Sequence, residues 1–132
     1  MNTILIIEDD PLISRLYQQA FQFDGYNVVL SHNGQDGLEK VRSVKPTLVL
    51  LDIMLPKMNG FELLENIKND QDTKKIPVIM LTNITDEREA QRALILGAVK
   101  YIMKSSYKPK QITEMVKQII KATARDDIPR AV

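Results

Sequence analysis

Cysteine is absent from the 132-residue chain. That excludes a disulfide scaffold, a thiolate metal site and a cysteine nucleophile, and it fits a reducing compartment. Histidine occurs once, at His32, and with no partner it reads as a surface residue. Excess charge of one sign is lacking too: 18 basic residues against 17 acidic ones leave a net +1. Such a balance gives no global electrostatic reason to bind DNA, RNA or an acidic membrane. No apolar run approaches the roughly 20 residues that span a bilayer. The start, Met1-Asn2-Thr3, leads into a short apolar run closed by two acids, with neither the basic opening nor the length of a signal peptide. A cytoplasmic location with no membrane partner is therefore expected. Linkers, repeats and low-complexity stretches are missing as well. What is present is ordinary for one globular domain, 44% hydrophobic and 27% charged residues.

Apolar runs alternate with amphipathic stretches. Thr3 to Ile7 reads as a strand buried on both faces. Asp10 and Pro11 open a helix with Leu12, Leu16, Ala20 and Phe23 at helical spacing, and Gly25 stops it. A second strand runs from Tyr26 to Leu30, and Asn33-Gly34 turns the chain into a short helix bearing Leu38 and Val41. Thr47 to Leu51 is the most apolar strand, and Asn59 caps a helix carrying Phe61, Leu63, Leu64 and Ile67. Pro77 to Leu81 and Val99 to Met103 complete the strands. Thr85 is placed to cap the fourth helix, and Pro109 opens a last one through about Ala122 with Ile112, Met115, Val116, Ile119 and Ile120 on one face. Five strand–helix units imply parallel pairing through right-handed crossovers, hence an α/β fold with a five-stranded doubly wound sheet. The domain is expected over residues 1–124, with 125–132 as a flexible tail.

Ligands of such sheets bind beyond the C-terminal strand ends. Polar residues should therefore converge there: Glu8, Asp9 and Asp10 after the first strand, Asp52 after the third, Thr82 and Asn83 after the fourth, Lys104 after the fifth. Clustered carboxylates repel unless a cation neutralises them. Oxygen-only ligands suit a hard ion, and Mg2+ is the expected cofactor. A lysine and a threonine hydroxyl beside it suit a phosphoryl group, and an aspartate can accept one.

The segments Ile7-Glu8-Asp9-Asp10-Pro11, Leu51-Asp52-Ile53-Met54-Leu55-Pro56-Lys57-Met58-Asn59-Gly60, Met80-Leu81-Thr82-Asn83, and Gly97-Ala98 through Tyr101 and Lys104 resemble the response-regulator receiver domain. The resemblance covers roughly residues 3 to 122 and is specific in combination. It implies a (βα)5 flavodoxin-like fold of strand order 2-1-3-4-5. It implies Asp52 as the phosphorylated aspartate, Asp9 as a direct Mg2+ ligand, Glu8 as a ligand largely through water, and the Met54 backbone carbonyl as the remaining protein ligand. Thr82 and Lys104 would bond the phosphoryl group, and Tyr101 would turn inward when Thr82 moves. Partners implied are a histidine kinase or phosphotransfer protein and a downstream output protein or output domain outside this chain. Signalling would leave through the fourth helix, fifth strand and fifth helix. The chain would be a phospho-acceptor that assists its own reactions, not an enzyme.

Three departures stand out. Ser105 follows Lys104 where the family usually has a cis proline, and a trans loop is expected because a cis bond before serine costs about 2.5–4 kcal/mol. Met54 and Ile84, two residues beyond the acceptor and the threonine, are apolar where polar residues would help a hydrolytic water, so a long-lived phosphoryl state is expected. Lys100 replaces an acid that serves the receiver dimer of winged-helix regulators, which puts that dimer in doubt. Two other readings remain: an interaction module indifferent to phosphate, and an aspartate-nucleophile phosphatase. The second needs an acid at the position of Met54. The methionines read as core fillers, and Lys100, Lys104, Lys108, Lys110 and Lys117 as either a docking patch or a solvated face.

Overall fold

A computed structural model describes residues 2–83 and 86–126. The elements are β1 (Thr3–Ile7), α1 (Pro11–Phe23), β2 (Asn27–Ser31), α2 (Gly34–Val44), β3 (Leu48–Asp52), α3 (Gly60–Lys68), β4 (Val78–Thr82), α4 (Glu87–Ile95), β5 (Lys100–Met103) and α5 (Pro109–Asp126), with a 3-10 turn at Lys104–Ser106. All strand pairings are parallel, in the order β2-β1-β3-β4-β5. The expected doubly wound sheet and its strand order are both found.

The sheet separates two apolar layers because successive strand side chains point to opposite faces. Ile4, Ile6, Leu48, Leu50, Ile79, Leu81 and Ile102 pack under α1 and α5. Leu5, Ile7, Val49, Leu51, Val78 and Met80 pack under α2, α3 and α4. Every residue of β3 and β4 is buried, so the strands that carry Asp52 and Thr82 are the most rigidly framed. Each large aliphatic side chain among them contributes about 2 kcal/mol of burial energy.

Several boundaries differ from expectation. β2, β3 and β4 each begin and end one residue later than expected, and β5 starts at Lys100. Asp52 and Thr82 thus belong to their strands, paired with Leu81 and Met103, because a ladder joins backbone groups whatever the side chain's polarity. Asn33 caps α2 by accepting from the Asp36 amide at 2.8 Å, so Gly34 is its first residue and not part of a turn. Asp86 caps α4; the expected cap, Thr85, lies outside the described residues. The last helix continues to Asp126, four residues past its expected end, since no helix breaker intervenes before Pro129. Arg125 and Asp126 are therefore helical and not tail, and 127–132 lie outside the described residues.

Helix α1 holds the clearest correction. Leu12, Leu16 and Phe23, expected on its buried stripe, are 68%, 49% and 91% exposed. The buried row is Ser14, Tyr17 and Phe21. Two aromatic rings fill the space beneath the helix, so the neighbouring leucine row faces outward.

Candidate functional site

The site is assembled at the C-terminal ends of β1, β3, β4 and β5. Parallel register aligns Ile7 with Leu51 and Asp52 with Leu81, so Glu8, Asp52 and Thr82 come to the same edge. Glu8 extends the ladder, its amide donating to the Ser31 carbonyl at 2.9 Å. Asp10, the third acid of the run, serves elsewhere: its Oδ1 accepts from the Leu12 amide at 2.9 Å and caps α1.

Lys104 joins the acids. Its Nζ donates to Glu8 Oε1 and, at 2.9 Å, to Asp52 Oδ2. The Lys104 side chain is only 10% exposed, so it belongs to the acidic pocket and not to the basic surface stretch. Lys100, Lys108, Lys110 and Lys117 are exposed. The Lys104–Ser105 peptide is trans, as expected, and lies within the 3-10 turn Lys104–Ser106.

Asp52 is also held from its own loop, the Met54 amide donating to its Oδ1 at 3.3 Å. Gly60 closes that loop, its amide donating to the Ile53 carbonyl at 2.8 Å. Carboxylate oxygens of Glu8, Asp9 and Asp52 lie within 4.8 Å of one another. Glu8 and Asp52 are buried and Asp9 is exposed. Burial above all, then a hydrogen bond shared with Asp52, pushes the Glu8 carboxyl up to about 7, against the opposing pull of Lys104. Burial works against the charge of Lys104, yet its bonds to Glu8 and Asp52 prevail and hold its pKa above the usual lysine value.

Thr82 is fully buried at the end of β4. Tyr101, on β5, is half-buried against the layer formed by α2, α3 and α4. Its phenol is pushed up by burial and then by the nearby charges of Glu89 and Asp86 on the α4 side. Asn83 is exposed and Ile84 lies outside the described residues. The structure thus brings together Glu8, Asp9, Asp52, Thr82 and Lys104, with Tyr101 behind the α4 wall.

Sequence reasoning missed two neighbours. Tyr17 on α1 is buried beside Glu8, Asp52 and Lys104, and burial pushes its phenol up against the opposing pull of Lys104, with the charges of Glu8 and Asp52 adding to the rise. Only the three-dimensional face of α1 reveals it. His32 is exposed as expected, but its Nδ1 lies 3.0 Å from the Glu8 carbonyl. A carbonyl only accepts, so Nδ1 carries the proton there. Of the methionines, Met80 is buried while Met54 is 66% exposed, so core filling does not describe Met54.

One class of protein combines this strand order with carboxylates and a lysine meeting at the strand ends: the aspartate-bearing signalling receivers. Comparison with known families agrees. Residues 4–117 match the sequence model of the response regulator receiver domain, and the chain belongs to that family, the receivers of two-component systems. It is 35% identical to the DNA-binding dual master transcriptional regulator RpaA of Synechocystis, over 99% of this chain and 53% of that protein. It is 33% identical to the response regulator ArlR of Staphylococcus aureus, over 97% of this chain and 57% of that one. The chain therefore spans about half the length of the curated relatives it matches. Among solved structures, a CheY-like receiver domain protein from Methanospirillum hungatei superimposes with a TM-score of 0.88 at 31% identity, covering 96% of this chain and 98% of that one. The BeF3-activated N-terminal receiver domain of Klebsiella pneumoniae RstA gives 0.82 at 28% identity, covering 90% and 98%. No described helix is long and apolar enough to cross a membrane.

Proposed function

We propose that Asp52 accepts a phosphoryl group from a histidine kinase or phosphotransfer protein and that the modified domain changes its affinity for an output partner. The observation that carries this reading is the lysine bridge: one ammonium serves two buried carboxylates from β1 and β3. In the transfer, an Asp52 oxygen forms the new bond to phosphorus while the donor's bond to phosphorus breaks. Lys104 turns from carboxylate to phosphoryl oxygen, and the Thr82 hydroxyl adds a hydrogen bond. Tyr101 then follows Thr82, and the α4–β5–α5 face presents a different surface.

Mg2+ fits the residues present. Glu8 Oε2 is buried without a hydrogen-bond partner, a costly state that a hard cation relieves. Glu8, Asp9, Asp52 and the Met54 carbonyl would hold the ion, and when bound it would neutralise charge on the phosphoryl oxygens. Met54 has no proton to give a leaving group, so the chain reads as a phospho-acceptor and not as an aspartate-nucleophile phosphatase. Met54 also gives a hydrolytic water nothing to bond, which favours a long-lived phosphoryl state. The cytoplasm is the compartment this reading requires.

Incubation with acetyl phosphate and Mg2+ tests the proposal. The intact mass should rise by one phosphoryl group, and the gain should vanish with Asp52→Ala or with a chelator. A gain that survives Asp52→Ala overturns the acceptor assignment.

A further inference from the structure

Met54 is the single exposed methionine among the described residues: Met80 is buried, and Met58, Met103 and Met115 are partly covered. It is also the residue set over the acceptor. Its amide is tied to Asp52 Oδ1, and its side chain lines, with Asp9, Leu55 and Phe61, an open cavity of about 530 Å3 beside the carboxylate cluster. An exposed thioether is the form of methionine most open to two-electron oxidants. The product is polar, and polarity at this position bears on water attack at the site.

We propose that Met54 is an oxidation site and that its sulfoxide shortens the life of the phosphoryl group on Asp52. The inference rests on the acceptor role of Asp52. The oxidant is a hydroperoxide: its O–O bond breaks, one oxygen bonds to the Met54 sulfur, which loses two electrons, and the other oxygen leaves as water or alcohol. The sulfoxide oxygen is a strong hydrogen-bond acceptor where the thioether was apolar. It holds a water in the cavity against the phosphoryl group. In hydrolysis that water's oxygen bonds to phosphorus, the bond from Asp52 to phosphorus breaks, and the proton leaves with inorganic phosphate or solvent. Reduction of the sulfoxide by a thiol-dependent reductase restores the thioether and the slow rate.

The test uses the whole chain, phosphorylated with acetyl phosphate and freed of donor. Phosphoryl uptake by the untreated protein is read first, and its absence overturns the acceptor role itself. Limited hydrogen peroxide should then oxidise Met54 ahead of Met58, Met103 and Met115 in a peptide map. Phosphoryl loss should become several-fold faster after oxidation and return to the starting rate after treatment with methionine sulfoxide reductase. Oxidant should leave the rate of Met54→Leu where it was and accelerate Met115→Leu like the parent. Uptake followed by a loss rate that oxidation does not change, or an acceleration that persists in Met54→Leu, overturns the Met54 proposal alone.

Discussion

Glu8 carries the sharpest electrostatic conflict among the described residues. The residue is 2% exposed, its carboxyl shares a lysine with a second carboxylate, and burial pushes it up to about 7. A folded-state pKa raised above the unfolded value of 4.5 means that the native state holds a proton the unfolded chain has lost. Stability from this group is full below about 4.5 and is lost as pH rises towards 7. Cation binding runs the opposite way, since the proton must leave before a metal can use both oxygens. Mg2+ affinity should therefore weaken about tenfold per pH unit below 7 and level off above it. Titration calorimetry at several pH values reads this directly. Glu8→Gln should flatten the dependence, and a slope that survives in that variant places the proton elsewhere.

The loop from β3 to α3 shows how element geometry builds the site. Gly60 starts α3 where a Cβ would meet the Asp52 carbonyl oxygen and lie 2.6 Å from the Ile53 Cα. Neither backbone atom can yield without moving the segment that carries Met54. Gly60→Ala should lower stability by about 1–3 kcal/mol, the usual cost of overpacking, and should slow phosphoryl uptake because the Met54 carbonyl shifts. Denaturant unfolding and the acetyl phosphate assay check the two effects, and an unchanged uptake rate would separate the loop from the chemistry. This crowding was not legible in the sequence, where Gly60 read only as part of a motif. Elements with one clear apolar face were legible: Phe61, Leu63, Leu64 and Ile67 of α3 are all buried, and so are Ile112 and Val116 of α5. Helix α1 was not, because it offers two apolar rows and only the space beneath it decides between Leu12-Leu16 and Tyr17-Phe21. Site residues were legible through topology, since parallel register brings the C-terminal ends of β1, β3, β4 and β5 to one edge. Tyr17 was not, because it reaches that edge from a helix.

At the scale of the molecule, a net charge of +1 conceals a strong local imbalance. Three carboxylates at the sheet edge face one ammonium, which leaves two negative charges when all are ionised. A phosphoryl group of about −1.5 to −2 replaces the single negative charge of Asp52, so the site gains about −0.5 to −1 more, all at the end of a sheet whose strands cannot spread because both faces are packed. Lys104 alone cannot balance that charge, so modification and divalent cation binding must favour one another, and equally in both directions. The phosphorylated protein should bind Mg2+ more tightly than the unmodified one. Its melting temperature should then rise further at each Mg2+ concentration, since a ligand stabilises the native state with the logarithm of its concentration over its dissociation constant. Thermal unfolding of both forms across a Mg2+ series, at pH 8 where Glu8 is ionised, measures the difference. Equal shifts for the two forms would mean that the phosphoryl group sits out of reach of the carboxylate cluster, and the assignment of Asp52 as its carrier would fail with them.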